Sequence, residues 1–251
     1  MPEKQHWDFT MKIKYFIPNF FTAASLVVGF LSINASSEGN FVLASWLIAL
    51  SIFCDGFDGK VARLLNASSR FGAEFDSMSD FVAFGVAPGF LVYKLGLNHM
   101  SFLGFTAVII YVLAGAIRLV RFNLKNYDLD NKHPFEGLPI PGAAGMLASL
   151  YLFMNKFFPY ANINGLLIIV TFLVAFLMVS NFEFLTIEHK NNYRAFKIFR
   201  AVFMVFIIIS LAFFPNAIFF GVFALYVTVN TIRGGLFHKN NNIENEVKFN
   251  D

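Results

Sequence analysis

Eight apolar stretches, each long enough or nearly long enough to cross a bilayer, restrict the fold of this chain more sharply than any other feature. A helix needs about 20 predominantly apolar residues to span a hydrocarbon core roughly 30 Å thick. The stretches are residues 15–35, 41–64, 75–97, 102–124, 138–158, 163–179, 198–214 and 216–232. Inside lipid a backbone must satisfy its own hydrogen bonds, so each stretch is expected to be helical. Composition agrees: 57% of the 251 residues are hydrophobic and 14% are charged, with a mean hydropathy of +0.61. A soluble domain of this size has no core large enough to hide so much apolar surface. The expected fold is all-α, a polytopic membrane helix bundle of about eight transmembrane helices. Residues 1–251 read as a single domain without internal repeats.

Turn signals separate the stretches: Ser36-Ser37-Glu38-Gly39, Asn98-His99, Asn162-Ile163-Asn164 and Pro215-Asn216. Basic residues orient them. With both termini cytoplasmic, all but two of the nineteen Lys and Arg fall on the inner side, the exceptions being Lys94 and Lys156. That bias matches the positive-inside rule, and both exceptions sit near helix ends, where a lysine can snorkel. The inner loops 123–136 and 181–197 are also the longer and more polar ones. An integral protein of the cytoplasmic membrane, with its chemistry facing the cytoplasm, is expected. The first fourteen residues are polar and lack a small-residue cleavage site, so the first apolar run is expected to remain as a span.

Several chemistries are excluded. A net charge of +3 gives no support to polyanion binding, and a single cysteine, Cys54, rules out an intramolecular disulfide and a cysteine-based zinc site. His6, His99, His133, His189 and His238 show no metal-ligand spacing. There is no G-x-S-x-G, no Walker loop and no H-x-K.

What remains is an acidic constellation. Asp55, Asp58, Gly59 and Ala62 recur at i, i+3, i+4 and i+7, one face of a helix. Gly72, Asp76 and Asp80 recur every four residues, a second stripe on the next helix. A short turn joins the two, so the stripes can face each other. Asp55 lies nine residues before Leu64, about 13 Å from the helix end at 1.5 Å per residue, near headgroup depth. Carboxylates inside spans are costly and mark function. Two divalent cations would neutralise four of them, and Mg²⁺ suits an oxygen-only donor set that bridges to substrate phosphates. Metals shared between aspartates can clamp a phosphate for displacement. Gly59, Ala62 and Gly72 would let a substrate lie against bare helix backbone, and Arg63 offers a phosphate donor. Helix caps or surface ion pairs are the bland alternative, and a divalent cation transporter is the functional one. Transport favours a midplane site, whereas these acids cluster toward one face.

The pattern D-x-x-D-G-x-x-A-R-x8-G-x-x-x-D-x-x-x-D, from Asp55 to Asp80, matches at all eight fixed positions the signature of the CDP-alcohol phosphotransferase family, which this chain resembles. Within that family it resembles the membrane-type phosphatidylserine synthases. The blocks are Pro18-Asn19-Phe20-Phe21-Thr22, residues 71–88, Arg118-Leu119-Val120-Arg121-Phe122-Asn123, and the segment F-E-G-L-P-I-P-G at 135–142. They lie within roughly the first 145 residues; beyond them the likeness is only hydrophobic, leaving the last two to three helices peripheral to it.

The resemblance implies CDP-diacylglycerol and L-serine as substrates, phosphatidylserine and CMP as products, two divalent cations (Mg²⁺ or Mn²⁺), membrane lipid surroundings and a homodimer. Position by position, Asp55 and Asp76 would bridge both metals, Asp58 would complete one site, and Asp80 would ligate the other and serve as base. Asn19, Thr22, Gly59, Arg63 and Ser69 look like contacts to the nucleotide and its pyrophosphate. For Asn19 and Thr22 the alternative is a helix cap. The same reaction with glycerol 3-phosphate or inositol phosphate is the nearest rival, although those acceptors would want a cluster of basic residues. Serine needs a carboxylate partner, for which Arg118 and Arg121 are suited, and an ammonium partner, for which Glu74 or Glu136 would serve. Segment 135–142, with two prolines and two glycines, reads either as a rigid flap or as the ordinary start of a helix.

Overall fold

The computed structural model describes residues 9–65, 67, 69–127, 137–180, 215–229 and 231. Among them every regular element is helical: α1 (Phe9–Ser37), α2 (Phe41–Leu64), α3 (Arg70–Asp80), a π-helical segment (Phe81–Val86), α4 (Ala87–Leu95), a 3-10 turn (Leu97–Met100), α5 (Ser101–Tyr127), α6 (Ile140–Phe157), α7 (Asn164–Val179) and α8 (Pro215–Val229). Four stretches are long and apolar enough to cross a membrane: Phe16–Ser37, Phe41–Leu64, Arg70–Leu95 and Phe102–Leu124. α7 and α8 are shorter apolar helices. Large apolar side chains such as Leu64, Phe71, Met78 and Phe102 point outward, an arrangement suited to lipid rather than water.

The expected stretch 41–64 coincides with α2, and five others appear with shifted ends. Stretch 216–232 appears as α8, while 198–214 lies outside the described residues. Stretch 75–97 departs most: its helix starts at Arg70, five residues before the apolar run, and changes winding at Phe81. The early start has a local cause. Ser69, extended at φ −136° and ψ 152°, caps α3 by accepting from the Gly72 amide.

Internal contacts gather into two compact units, Met1–Val112 and Leu113–Asp251. In the first, α1 and α2 are joined by a tight turn in which Gly39 is left-handed at φ +79°, and the Asn40 side chain accepts from the Leu43 amide to cap α2. Small hydroxyls then bind the two helices. Ser51 Oγ donates to the Ser25 carbonyl at 2.8 Å, the Ser25 and Ser51 hydroxyls lie 2.8 Å apart, and Ser32 Oγ donates to the Ala44 carbonyl at 2.9 Å. Such residues let backbones approach and hydrogen-bond where no water competes. At Gly29 the approach to the π-helical segment is closer still: a Cβ there would stand 2.7 Å from Ala83 Cα.

The π-helical segment has a chemical reason. Pro88, at the start of α4, has no amide proton, so the Phe84 carbonyl has no α-helical donor four residues on. Fully buried Tyr111 supplies one, its hydroxyl donating to the Phe84 carbonyl at 2.8 Å. The Ala87 amide meanwhile bonds five residues back, to Val82.

In the second unit, Gly137 is left-handed at φ +79°, and a Cβ there would lie 2.5 Å from the Met178 carbonyl. The Leu138 amide pairs with the Leu177 carbonyl at 2.9 Å, and Pro139 holds the N-cap position of α6, its carbonyl accepting from the Ala143 amide at 3.1 Å. The described part of segment 135–142 is therefore a pinned helix start. Small residues on α6 (Gly142, Ala143, Gly145, Ala148) are buried with Leu147, Leu167, Val174 and Leu177. α8 lies against α6, where Phe220 stacks on Phe153 with centroids 4.9 Å apart and the Tyr226 ring approaches Gly142.

Candidate metal and substrate site

Helix period puts the carboxylates together. α2 carries Asp55 and Asp58, and α3 carries Asp76 and Asp80 at its last turns. One oxygen each from Asp55, Asp76 and Asp80 falls within 4.8 Å of the other two, and all three residues are half-buried. Asp58, 7% exposed, meets the Asp76 carboxyl and accepts a hydrogen bond from Thr22 Oγ1 at 2.8 Å. At an effective dielectric of about 20, unit charges ~5 Å apart repel by about 3 kcal/mol per pair. Among the described residues Asp76 Oδ1 is buried without a hydrogen-bond partner, which costs about 1–3 kcal/mol unless something satisfies it. Repulsion, an unsatisfied oxygen and an all-oxygen donor set fit a hard divalent cation.

Around this cluster the expected substrate contacts divide. Asn19, Ser69 and Gly72 come together, since a Cβ on Gly72 would lie 3.1 Å from both Asn19 Oδ1 and Ser69 Oγ. Among the described residues Gly56 and Gly59 present open backbone, with nothing within 4 Å of a Cβ built on either. Ala62 is half-buried beside them, and exposed Arg63 lays its Nε on the Gly59 carbonyl at 3.1 Å. Neither Asn19 nor Thr22 caps a helix, because α1 begins ten residues before Asn19.

Two residues that sequence reasoning did not single out support the site: buried Ser79, whose Oγ donates to the Thr22 carbonyl at 2.9 Å, and Tyr111 behind the π-helical segment. The available signal for Ser79 was a small hydroxyl immediately before Asp80 on the acidic helix.

The acceptor candidates are divided between the two units. Glu74 is exposed on α3, and Glu136 lies outside the described residues. In the second unit, Arg118 is 7% exposed with its guanidinium over the Phe122 ring, and Arg121 Nη1 donates to the Val179 carbonyl at 2.8 Å.

Fold and site together define a class: an α-helical membrane protein with a carboxylate cluster built across two of its helices. The chain belongs to the CDP-alcohol phosphatidyltransferase family, whose sequence profile matches residues 15–177. It is similar to proteins named CDP-diacylglycerol–serine O-phosphatidyltransferase from three organisms. The Helicobacter pylori (strain 26695) protein is 38% identical over 218 residues, 84% of this chain and 89% of the relative. The Methanocaldococcus jannaschii protein is 34% identical over 220 residues, 87% and 95% respectively. The Bacillus subtilis protein is 36% identical over 169 residues, 67% and 89% respectively.

Proposed function

We propose that this protein transfers the phosphatidyl group of CDP-diacylglycerol to L-serine, releasing phosphatidylserine and CMP. The observation that carries the chemistry is the convergence of Asp55, Asp76 and Asp80 oxygens within 4.8 Å. The acceptor rests on relatives of that name, 34–38% identical over most of the chain.

Asp55, Asp58, Asp76 and Asp80 would hold two divalent cations, Mg²⁺ or Mn²⁺. Bound there, the cations would neutralise phosphate charge and polarise the acceptor hydroxyl. The open backbone at Gly56 and Gly59 gives the pyrophosphate room on α2, and Asn19, Ser69 and Gly72 border the other side. The serine oxygen forms a bond to the β-phosphorus while the bond from that phosphorus to the bridging oxygen breaks, and CMP leaves with that oxygen. Asp80 takes the hydroxyl proton, accepting it as attack begins. Arg118 and Arg121 are the residues assigned to the serine carboxylate, and Glu74 or Glu136 to its ammonium.

In this reading residues 1–251 form one eight-span domain of the cytoplasmic membrane, with its termini and site on the cytoplasmic side. The skewed distribution of Lys and Arg supports that orientation. A homodimer rests on the family resemblance alone.

The test is CMP release by purified protein in detergent, given CDP-diacylglycerol, Mg²⁺ or Mn²⁺, and L-serine, glycerol 3-phosphate or inositol phosphate in turn. CMP release that depends on serine is expected, with phosphatidylserine formed in equal amount. Release only with a phosphorylated acceptor would reassign the substrate, and none with any acceptor would return the cluster to ion transport.

A further inference from the structure

Thr22 sits where three helices meet. From α1 its hydroxyl donates to Asp58 Oδ2 on α2 at 2.8 Å, and its carbonyl accepts from Ser79 Oγ on α3 at 2.9 Å. All three residues are buried, Thr22 at 4%, Asp58 at 7% and Ser79 at 1% exposure. A hydroxyl has one proton to give. The Pro18 carbonyl, 3.3 Å away, is the other acceptor in reach; the carboxylate is closer, and a bond to it is charge-assisted and stronger. The proton is therefore committed to Asp58, and a branched side chain with few rotamers makes that commitment rigid.

We infer that Thr22 is a positioning residue for the metal cluster rather than a contact to the nucleotide. Its hydroxyl fixes the Asp58 carboxylate against Asp76, and its carbonyl anchors α3 one residue from Asp80. Both acidic helices are thus registered on a single residue of α1. Partners that orient ligand carboxylates typically matter 10–100-fold for metal affinity. The inference rests on the metal-holding role proposed for the aspartates.

Its test needs no turnover. Full-length protein in detergent is titrated with Mn²⁺ while the free-ion electron paramagnetic resonance signal is followed. Thr22→Val, which keeps the shape and removes the hydroxyl, is expected to raise the Mn²⁺ dissociation constant by roughly 10–100-fold, and Thr22→Ser is expected to restore it. Thr22→Ala loses the same hydroxyl without placing a new methyl beside Asp58, and is expected to weaken binding likewise. At saturating Mn²⁺, Thr22→Val should keep the wild-type KM for CDP-diacylglycerol. Wild-type Mn²⁺ affinity in Thr22→Val, or a raised KM with that affinity intact, overturns the inference and makes Thr22 a substrate contact. Wild-type protein that takes up no Mn²⁺ overturns the metal reading itself, and the inference with it.

Discussion

Replacing Tyr111 with phenylalanine removes one oxygen from a fully buried side chain and nothing else. That oxygen donates at 2.8 Å to the Phe84 carbonyl, which Pro88 leaves without an α-helical donor. A buried carbonyl deprived of its donor costs about 1–3 kcal/mol in soluble proteins. Side-chain hydrogen bonds between membrane helices average about 0.6 kcal/mol, with a maximum near 1.7. The two ranges overlap at about 1–2 kcal/mol, which is the expected loss, because the ring stays and no sizeable cavity opens. At about 1.4 kcal/mol per tenfold, the unfolded fraction should rise roughly five- to thirty-fold. Unfolding by sodium dodecyl sulfate in mixed micelles reads this directly, with Trp46 of α2 as an internal fluorophore. A Tyr111→Phe midpoint indistinguishable from wild type would refute the account of the π-helical segment, since the carbonyl would then need no outside donor.

The aspartates should separate by role. Asp80→Asn is expected to keep CDP-diacylglycerol binding and lose turnover by about 10²–10⁴, whereas Asp55→Asn should weaken Mn²⁺ binding as well. Equal metal affinity in all four aspartate variants would contradict their assignment as ligands. Exhaustive chelation should reduce CMP release to background, and Mg²⁺ or Mn²⁺ should restore it; activity that survives chelation would remove the metals from the reaction. Gly29→Leu should destabilise the protein by about 1–3 kcal/mol, because even its Cβ would fall 2.7 Å from Ala83 Cα. A monodisperse elution profile and an unchanged melting temperature would refute that close approach.

How far the chain could be read in advance depended on which physical force set each feature. Bilayer thickness sets span length, so α2 was legible to the residue, and the ends of α6 and α7 to within two. The start of α3 was not, because it follows Ser69 capping the Gly72 amide rather than hydropathy. Helical period sufficed to place Asp55, Asp76 and Asp80 on facing stripes, and their oxygens do converge. It could not apportion Thr22, whose bond to Asp58 joins residues 36 positions apart. The π-helical segment was equally hidden. Phe81-Val82-Ala83-Phe84-Gly85-Val86 reads as ordinary α-helix, and Pro88 announces a missing donor without revealing that Tyr111 replaces it.

The contact between Gly29 and Ala83 gives α1 a fulcrum. Asn19 lies ten residues from it along the helix, an arm of about 15 Å at 1.5 Å per residue. A tilt of about 5° around that point would sweep Asn19 through roughly 1.3 Å. Active-site geometry generally tolerates only about 0.5 Å. A bulkier residue wedged at position 29 would therefore be amplified by leverage into a misalignment at Asn19 and its neighbours Ser69 and Gly72. The smallest side chain on this helix guards the geometry of the carboxylate cluster.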